Sequence, residues 1–158
     1  MAVSVVLRAT TEDDLAFVRD VFAGTRRLEV EALGGGGAAD AFIAGQWEAR
    51  RRAARSAHQH VYEQIIVADG RDAGYVVWAV DEPDAMRILD IAVSDAWRGV
   101  GVGSAALAEL LARADHDGAT VSLHVEHLNP AQRMYERLGF VEVARDERVA
   151  RMERRPIS

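Results

Sequence analysis

Residues 98–104 have the sequence Arg-Gly-Val-Gly-Val-Gly-Ser, between an apolar segment that ends at Val93 and a helical pattern that begins at Gly103. Alternating glycines at the start of a helix leave several backbone N–H groups free around a tight turn. Glycine lets an anion approach the backbone closely, and the helix start adds a partial positive charge. The segment therefore predicts a phosphate-binding turn, although a tight strand-to-helix turn without a ligand would use the same residues.

Two well-known phosphate-binding folds compete for this motif. Gly101, Gly103 and Ala106 also have the Gly-x-Gly-x-x-Ala spacing of a dinucleotide-binding turn. Such a fold needs several parallel strand and helix units after the turn, whereas only one strand, one short helix and one hairpin are predicted here. A P-loop is excluded because the sequence contains no Gly-Lys pair. The motif must therefore serve another phosphate ligand.

The turn lies inside a strand, helix, strand unit. Arg87–Val93 is predicted to be the first strand, Gly103–Asp115 the helix and Thr120–Val125 the second strand, and Gly118 ends the helix. One face of the helix is apolar, formed by Leu107, Leu110, Leu111 and Ala114. A crossover of this kind makes its two strands parallel.

Apolar periodicity and turn residues define the remaining elements. A short helix is predicted over Pro130–Leu138, followed by a hairpin of Val141–Arg145 and Val149–Glu153. Before the turn, the predicted strands are Val3–Arg8, Val61–Ala68 and Tyr75–Val80, and the last two form an antiparallel meander with Arg87–Val93.

The N-terminal third is predicted to be mainly helical. A first helix with an apolar stripe ends at Gly24, a short one follows from Thr25, and a third covers 38–57. The stripe consists of Leu15, Val18, Val21 and Phe22, after a capping pattern at Thr11 and Asp14. Four consecutive glycines, Gly34–Gly37, are predicted to form a mobile loop.

Residues 129–140 hold a second motif, Asn-Pro-Ala-Gln-Arg-Met-Tyr-Glu-Arg-Leu-Gly-Phe. This segment is similar to the Leu-Tyr-Glu-x-Leu-Gly-Phe helix of GNAT N-acetyltransferases. Arg98, Gly101 and Gly103 match that family's other signature, Arg or Gln, two residues, Gly, one residue, then Gly or Ala. Two motifs in the right order, separated by one helix and one strand, are more specific than either alone.

The resemblance covers about Ile88 to Phe140 and implies the fold. It indicates an α/β GNAT acyl-CoA N-acyltransferase fold, with a mixed, largely antiparallel sheet flanked by helices and splayed between the fourth and fifth strands, where the cofactor enters. Residues 1–158 are predicted to form one domain of this kind. Thr25-Arg26-Arg27 and a helix with Gln46 and Trp47 look like the variable acceptor-binding half of such enzymes.

The resemblance also implies which residues bind acetyl-CoA, the acyl-donor cosubstrate. Pyrophosphate would bind backbone amides of the turn, pantetheine would pair with the end of the fourth strand, and Asn129 would hydrogen-bond the pantetheine arm. The implied cofactor-binding residues are Ile91, Ala92, Val93, Arg98, Gly99, Val100, Gly101, Val102, Gly103, Ser104, Asn129 and Tyr135. On local grounds Asn129 would equally serve as a helix cap before Pro130.

Amine attack on a thioester forms an oxyanion and expels a thiolate, so the site needs amide donors and a weak acid. The resemblance implies that Tyr135 is this acid, and the alternative is a core aromatic residue beside Leu138.

The base is less clearly marked. His124 and Asp90 interrupt two apolar strands, and Glu126 follows His124. Polar residues on such strands are unusual because burying an unpaired polar group is costly. If the fourth and fifth strands are neighbours, Asp90 and His124 can lie close together at the splay, and the carboxylate would raise the histidine pKa. The alternatives are an exposed sheet edge or a purely structural hydrogen bond between the two.

Composition restricts the classes of protein. The formal net charge of −6 argues against a binder of duplex nucleic acid, and the sequence has no cysteine for a disulfide or a thiolate site. No run of apolar residues is long enough for a membrane span and no signal peptide is recognised, so no membrane partner and a cytoplasmic location are expected. His58 and His60 lie near a helix end, so no metal site is predicted.

Arginines cluster in two places, and both clusters are expected to be a solvated helix face or a frayed tail. They consist of Arg50, Arg51, Arg52 and Arg55, and of Arg151, Arg154 and Arg155.

The predicted activity is acetyl transfer from acetyl-CoA to a primary amine of a small molecule. The alternatives are an acetyltransferase acting on peptide N-termini or lysines, and a non-catalytic acyl-CoA-binding regulatory module. The acceptor, the preferred acyl chain and the oligomeric state, a homodimer included, stay open.

Overall fold

The computed structural model describes residues 2–158, which form a mixed sheet of seven strands with five α-helices. The strands are β1 (Val5–Ala9), β2 (His60–Ala68), β3 (Arg71–Glu82), β4 (Ala85–Val93), β5 (Thr120–Glu126), β6 (Val141–Arg145) and β7 (Val149–Arg154). The helices are α1 (Leu15–Gly24), α2 (Arg27–Ala32), α3 (Gly36–Ala57), α4 (Val102–Asp117) and α5 (Ala131–Arg137). Every predicted element is therefore present, with ends that differ by a few residues. No helix in this part of the chain combines the length and apolarity needed to cross a bilayer.

The strand order is β1-β2-β3-β4-β5-β7-β6. All neighbours are antiparallel except β4 and β5, which α4 connects. The predicted meander and the predicted parallel pair are thereby confirmed. A helical crossover allows the parallel pair because it returns the chain to the starting edge of the sheet.

The pairing of β4 with β5 is short. Its ladder contains only Ala85 with Thr120, Met86 with Val121 and Arg87 with Ser122, after which the two strands separate. The splay predicted between the fourth and fifth strands is confirmed. Beyond Arg87, the side of β4 that faces β5 has no strand partner within residues 2–158.

A β-bulge lies in β4 just after its last residue pair with β5. Val77 of β3 pairs with Asp90 and Trp78 pairs with Ile88, so Leu89 is an extra residue on β4. A bulge bends its strand and changes the direction of the side chains that follow it. Ile88 packs in the core beneath α4, whereas the two residues after it, Leu89 and Asp90, both lie on the face covered by α1 and α3.

Two apolar cores cover the faces of the sheet. The α4 face buries the predicted stripe together with Trp78 and Tyr135, and the opposite face buries Phe22, Trp47 and Tyr75 against α1 and α3. At about 25 cal/mol per Å² of apolar surface, such burial is the main stabilising contribution to the fold. The separation of β4 from β5 therefore opens between two packed layers.

The four glycines before α3 only partly form the predicted loop. Gly34 and Gly35 connect α2 to α3, but α3 already begins at Gly36. The three residues 34–36 have φ of +77°, +69° and +67°, a left-handed conformation that costs little for glycine. The run therefore turns the chain and starts the helix.

The expectation that the arginine clusters are merely solvated or frayed is wrong for Arg154, and exposed or half-buried arginines of α3 form ion pairs as well. Arg154 is 7% exposed and makes two hydrogen bonds to the Asp115 carboxylate, at 2.8 and 3.1 Å. Arg51 and Arg55 bind Glu63 at 3.0 and 2.8 Å. Carboxylates distant in sequence hold these side chains.

Candidate active site

The glycine turn before α4 has the conformation that an anion-binding turn requires. Gly99 and Gly101 have φ of +76° and +88°, and Gly101 is the N-cap of α4. Within residues 2–158, no acceptor lies in hydrogen-bonding geometry with the backbone N–H groups of residues 99–104. The turn therefore presents amide donors beside the positive end of a helix of 16 residues, which suits a diphosphate.

The glycines of the turn differ in what requires them. A β-carbon on Gly99 or Gly101 would meet no described atom within 4 Å, so their positive φ values are what require glycine. At Gly103 a β-carbon would make ordinary van der Waals contacts with the Val93 and Met134 side chains, at 3.8 and 3.9 Å. The third glycine packs the helix start against β4 and α5.

Arg98 fixes the turn to the end of β4. Its Nε donates to the Val93 carbonyl at 3.2 Å, and its Nη1 lies 3.3 Å from the Asp95 carboxylate. The side chain is therefore held against the strand that leads into the turn.

The splay between β4 and β5 forms a cleft of about 380 Å³, to which α5 and the end of α1 contribute walls. The predicted acid and base candidates all line it: Tyr135, Asp90, His124 and Glu126. Asn129 and Ile91 line it as well. Residues from α1, α3, β4, β5 and α5 thus meet in one cavity beside the end of β4.

Tyr135 is buried, with 8% of its surface exposed, and packs edge-on against Phe140 at a centroid distance of 5.9 Å. Its hydroxyl makes no hydrogen bond to any residue of the described chain. Burial, with a smaller contribution from Asp90, raises the pKa of Tyr135. The phenol therefore stays protonated at neutral pH. The position of Tyr135 in the core is compatible with a catalytic role.

Asn129 caps α5, since its Oδ1 accepts a hydrogen bond from the Ala131 N–H at 2.9 Å. The capping alternative is thereby confirmed. The same residue lines the cleft, so its contact with pantetheine stays a prediction.

The predicted hydrogen bond between Asp90 and His124 is not found among residues 2–158. The Asp90 carboxylate accepts a hydrogen bond from the Tyr75 hydroxyl at 2.9 Å and lies 3.5 Å from Arg50 Nη2. Both Asp90 and His124 lie beyond the three residue pairs that join β4 to β5, in the region where these two strands diverge. Asp90 therefore has its partners on β3 and α3, whereas His124 contacts Arg87 of β4, at the last paired level of the two strands.

His124 contacts Arg87 through its Nδ1. Because arginine only donates, Nδ1 accepts and the proton of the neutral ring is assigned to Nε2. Desolvation and the charges of Arg87 and Arg151 lower the pKa of His124. The prediction that a carboxylate raises this pKa is wrong, and the ring is uncharged at neutral pH.

The structure adds Phe22 and Arg50 to the wall of the cleft and places Arg26 beside them, as expected for a residue of the acceptor-binding half. The guanidinium groups of Arg26 and Arg50 lie 5.1 and 5.5 Å from the centre of the Phe22 ring, and all three residues line the cleft. Arg50 had been grouped with the solvated arginines of α3. Only the packing of α3 over the sheet brings it to Asp90.

Comparisons with known proteins agree with this geometry. The profile of the Acetyltransferase (GNAT) family matches residues 27–140. No curated protein sequence matches the chain.

Several solved structures have the same fold. PaiA N-acetyltransferase from Thermoplasma acidophilum, in complex with coenzyme A, is 15% identical, with a TM-score of 0.72 over 96% of this chain and 99% of that one. The structure described as histone acetyltransferase HPA2 and related acetyltransferase, from Corynebacterium glutamicum, is 19% identical, with a TM-score of 0.70 over 100% and 98%. Nourseothricin acetyltransferase is 25% identical, with a TM-score of 0.55 over 63% and 67%.

Proposed function

Because the chain belongs to the Acetyltransferase (GNAT) family and is therefore an acetyl-CoA-dependent N-acetyltransferase, we propose that its acceptor is the primary amine of a small molecule. The observation that carries this proposal is the cleft at the splay. It is a concave site of about 380 Å³ with a second cavity of about 320 Å³ beside it, and Arg50, Leu89 and Asp90 line both. Cavities of this size are typical of small-molecule sites.

The residues of the glycine turn and of β4 fit the donor. The amides of residues 99–104 would hold its phosphates, and the backbone of Ile91–Val93, which has no partner on the β5 side, would pair with its pantetheine arm. Acetyl-CoA supplies the thioester from which the acetyl group is transferred. Asn129 lies on the opposite wall of the same cleft and can add a side-chain contact there.

Tyr135 is proposed as the acid. During transfer the amine nitrogen forms a bond to the acetyl carbon, the carbon–sulfur bond breaks, and the departing sulfur needs a proton. The Tyr135 hydroxyl lines the cleft, has no hydrogen-bond partner in the described chain and is kept protonated by its raised pKa. These are the properties of a positioned proton donor, and the phenolate is afterwards reprotonated from solvent.

Two side chains in the cleft can take the proton of the amine. His124 is uncharged at neutral pH because its pKa is lowered. Its Nδ1 contacts Arg87, so this contact must break before Nδ1 can accept a proton from the amine. Asp90 already accepts from Tyr75 and still has lone pairs for an ammonium group, since an ionised carboxylate offers about four acceptor positions. Glu126 lies on the same wall as His124.

An acetyl-CoA-dependent thiol-release assay tests the proposal. Amino acids, polyamines, aminoglycosides and short peptides would be compared at equal concentration, with Tyr135→Phe as the variant expected to lose activity. Turnover of one class of small amine supports the proposal. Turnover of peptides alone would replace it by the peptide alternative, and thiol release that is equally fast without any amine would show hydrolysis only.

A further inference from the structure

Two arginines form one wall of the cleft that holds the proposed acid and base. Arg26 lies at the junction of α1 and α2, and Arg50 lies on α3. Both guanidinium groups lie over the ring of Phe22, which is 1% exposed. A fixed aromatic ring orients the planar groups and removes water from one side of each.

The charges of this wall are not balanced. Arg26 donates through Nε to the Gln46 side-chain oxygen at 3.3 Å, which is a neutral partner, and has no carboxylate within salt-bridge distance in residues 2–158. Arg50 has only Asp90, at 3.5 Å. Other arginines of the same helical layer have closer carboxylates: Arg27 pairs with Asp95 at 2.7 Å and Arg51 with Glu63 at 3.0 Å.

We infer that Arg26 and Arg50 bind a carboxylate of the acceptor, and that the acceptor is a compact amino acid whose ammonium group lies at Asp90. Two guanidinium groups that line one cleft, with Asp90, the partner of Arg50, as their one carboxylate partner within residues 2–158, attract an anion. Arginine binds carboxylates through two parallel hydrogen bonds. The inference rests on the proposed function and specifies its substrate class.

The distance between the two charges on the protein limits the acceptor. Arg50 and Asp90 are 3.5 Å apart, so groups bound to them must also be neighbours. An ammonium and a carboxylate separated by one or two carbon atoms meet this condition. A polyamine or an aminoglycoside does not, because it would place further positive charges against the two arginines.

The test compares each amino acid with its carboxamide, which keeps the amine and removes the anion. We expect the wild-type kcat/KM for the best amino acid to exceed that for its amide at least about tenfold, as hydrogen bonds between charged groups usually provide. Arg26→Gln should raise KM for the amino acid about 10- to 100-fold and bring the ratio of acid to amide close to one. Arg26→Lys should restore part of the wild-type preference for the amino acid over its amide.

Arg52→Gln is the matched control, because Arg52 is an exposed arginine of α3 that does not line the cleft. It should leave the ratio unchanged. Amides acetylated as well as acids, or an Arg26→Gln variant that keeps the wild-type ratio, would overturn the inference. Turnover of polyamines or aminoglycosides with none of amino acids would overturn it and leave the proposed function intact. Failure of every small amine, in a protein that coenzyme A still stabilises against heat, would refute both.

Discussion

Replacing Gly101 with valine should weaken coenzyme A binding strongly and lower the stability of the fold only modestly. Gly101 has φ of +88° at the start of α4, and Gly118 has φ of +67° at its end. A β-carbon at either position meets no described atom within 4 Å. A residue other than glycine in this conformation costs about 1–3 kcal/mol. Gly118→Val therefore provides the same kind of backbone strain on the same helix, away from the turn.

The two variants should have similar melting temperatures without ligand. For a chain of this length each kcal/mol changes Tm by about 2–4 °C, so both should melt a few degrees below the wild type. Coenzyme A at 100 times its Kd stabilises a protein by about 2.7 kcal/mol. If the valine weakens binding about 100-fold by blocking phosphate, the same concentration stabilises Gly101→Val by only about 0.4 kcal/mol.

Thermal melts with and without coenzyme A measure this difference. The rise in Tm should nearly disappear in Gly101→Val and persist in Gly118→Val. Equal rises in both variants would show that phosphate binds elsewhere and would refute the role of the turn.

Three further predictions concern single side chains. Tyr135→Phe should lower kcat about 10²- to 10⁴-fold with the coenzyme A shift retained; unchanged kcat would mean that solvent supplies the proton. Because its lowered pKa lies below the ordinary 6.5, His124 as base should give an acid limb below that pH, which His124→Ala removes; a profile unchanged in shape and height would exclude His124 and leave Asp90 and Glu126 as the candidates for the base. The hydrogen bond from Arg154 lowers the pKa of Asp115 in the folded protein. The stabilisation that this ion pair gives the fold is therefore complete above pH 3.8, the ordinary pKa of the carboxyl, and is lost as the pH falls through the lower pKa of the folded state. The difference in Tm between wild type and Asp115→Asn should thus narrow from pH 7 to pH 3, and a constant difference would contradict the assignment.

Most of the fold was predictable because its signals are local. The apolar stripe of α4, the glycine turn before it and the turn residues of the meander each depend on a few neighbouring positions. The resemblance carried by the two motifs then implied the splay between the fourth and fifth strands. The same reasoning could not anticipate the start of α3 at Gly36, where a glycine run begins a helix that tertiary packing stabilises.

The contacts within the cleft were less predictable because they depend on distant elements. Asp90 pairs with Tyr75 and Arg50, and His124 with Arg87, since the strands diverge before the two residues can meet. Strand alternation shows which face a residue occupies but not which helix covers it. The burial of Arg154 likewise follows from a partner 39 positions away.

The short ladder between β4 and β5 has a consequence for how the molecule opens. Long antiparallel ladders hold β1 to β4 as one block and β5, β7 and β6 as another, whereas the backbone ladder between the blocks has three residue pairs and the core beneath α4 supplies the rest of the contact. Partial unfolding follows the boundary where the fewest interactions are lost. Amide protons along that boundary should therefore exchange with heavy water before those of β2 and β3. A donor molecule bound at the proposed site would contact both blocks and would itself strengthen the cohesion of the sheet.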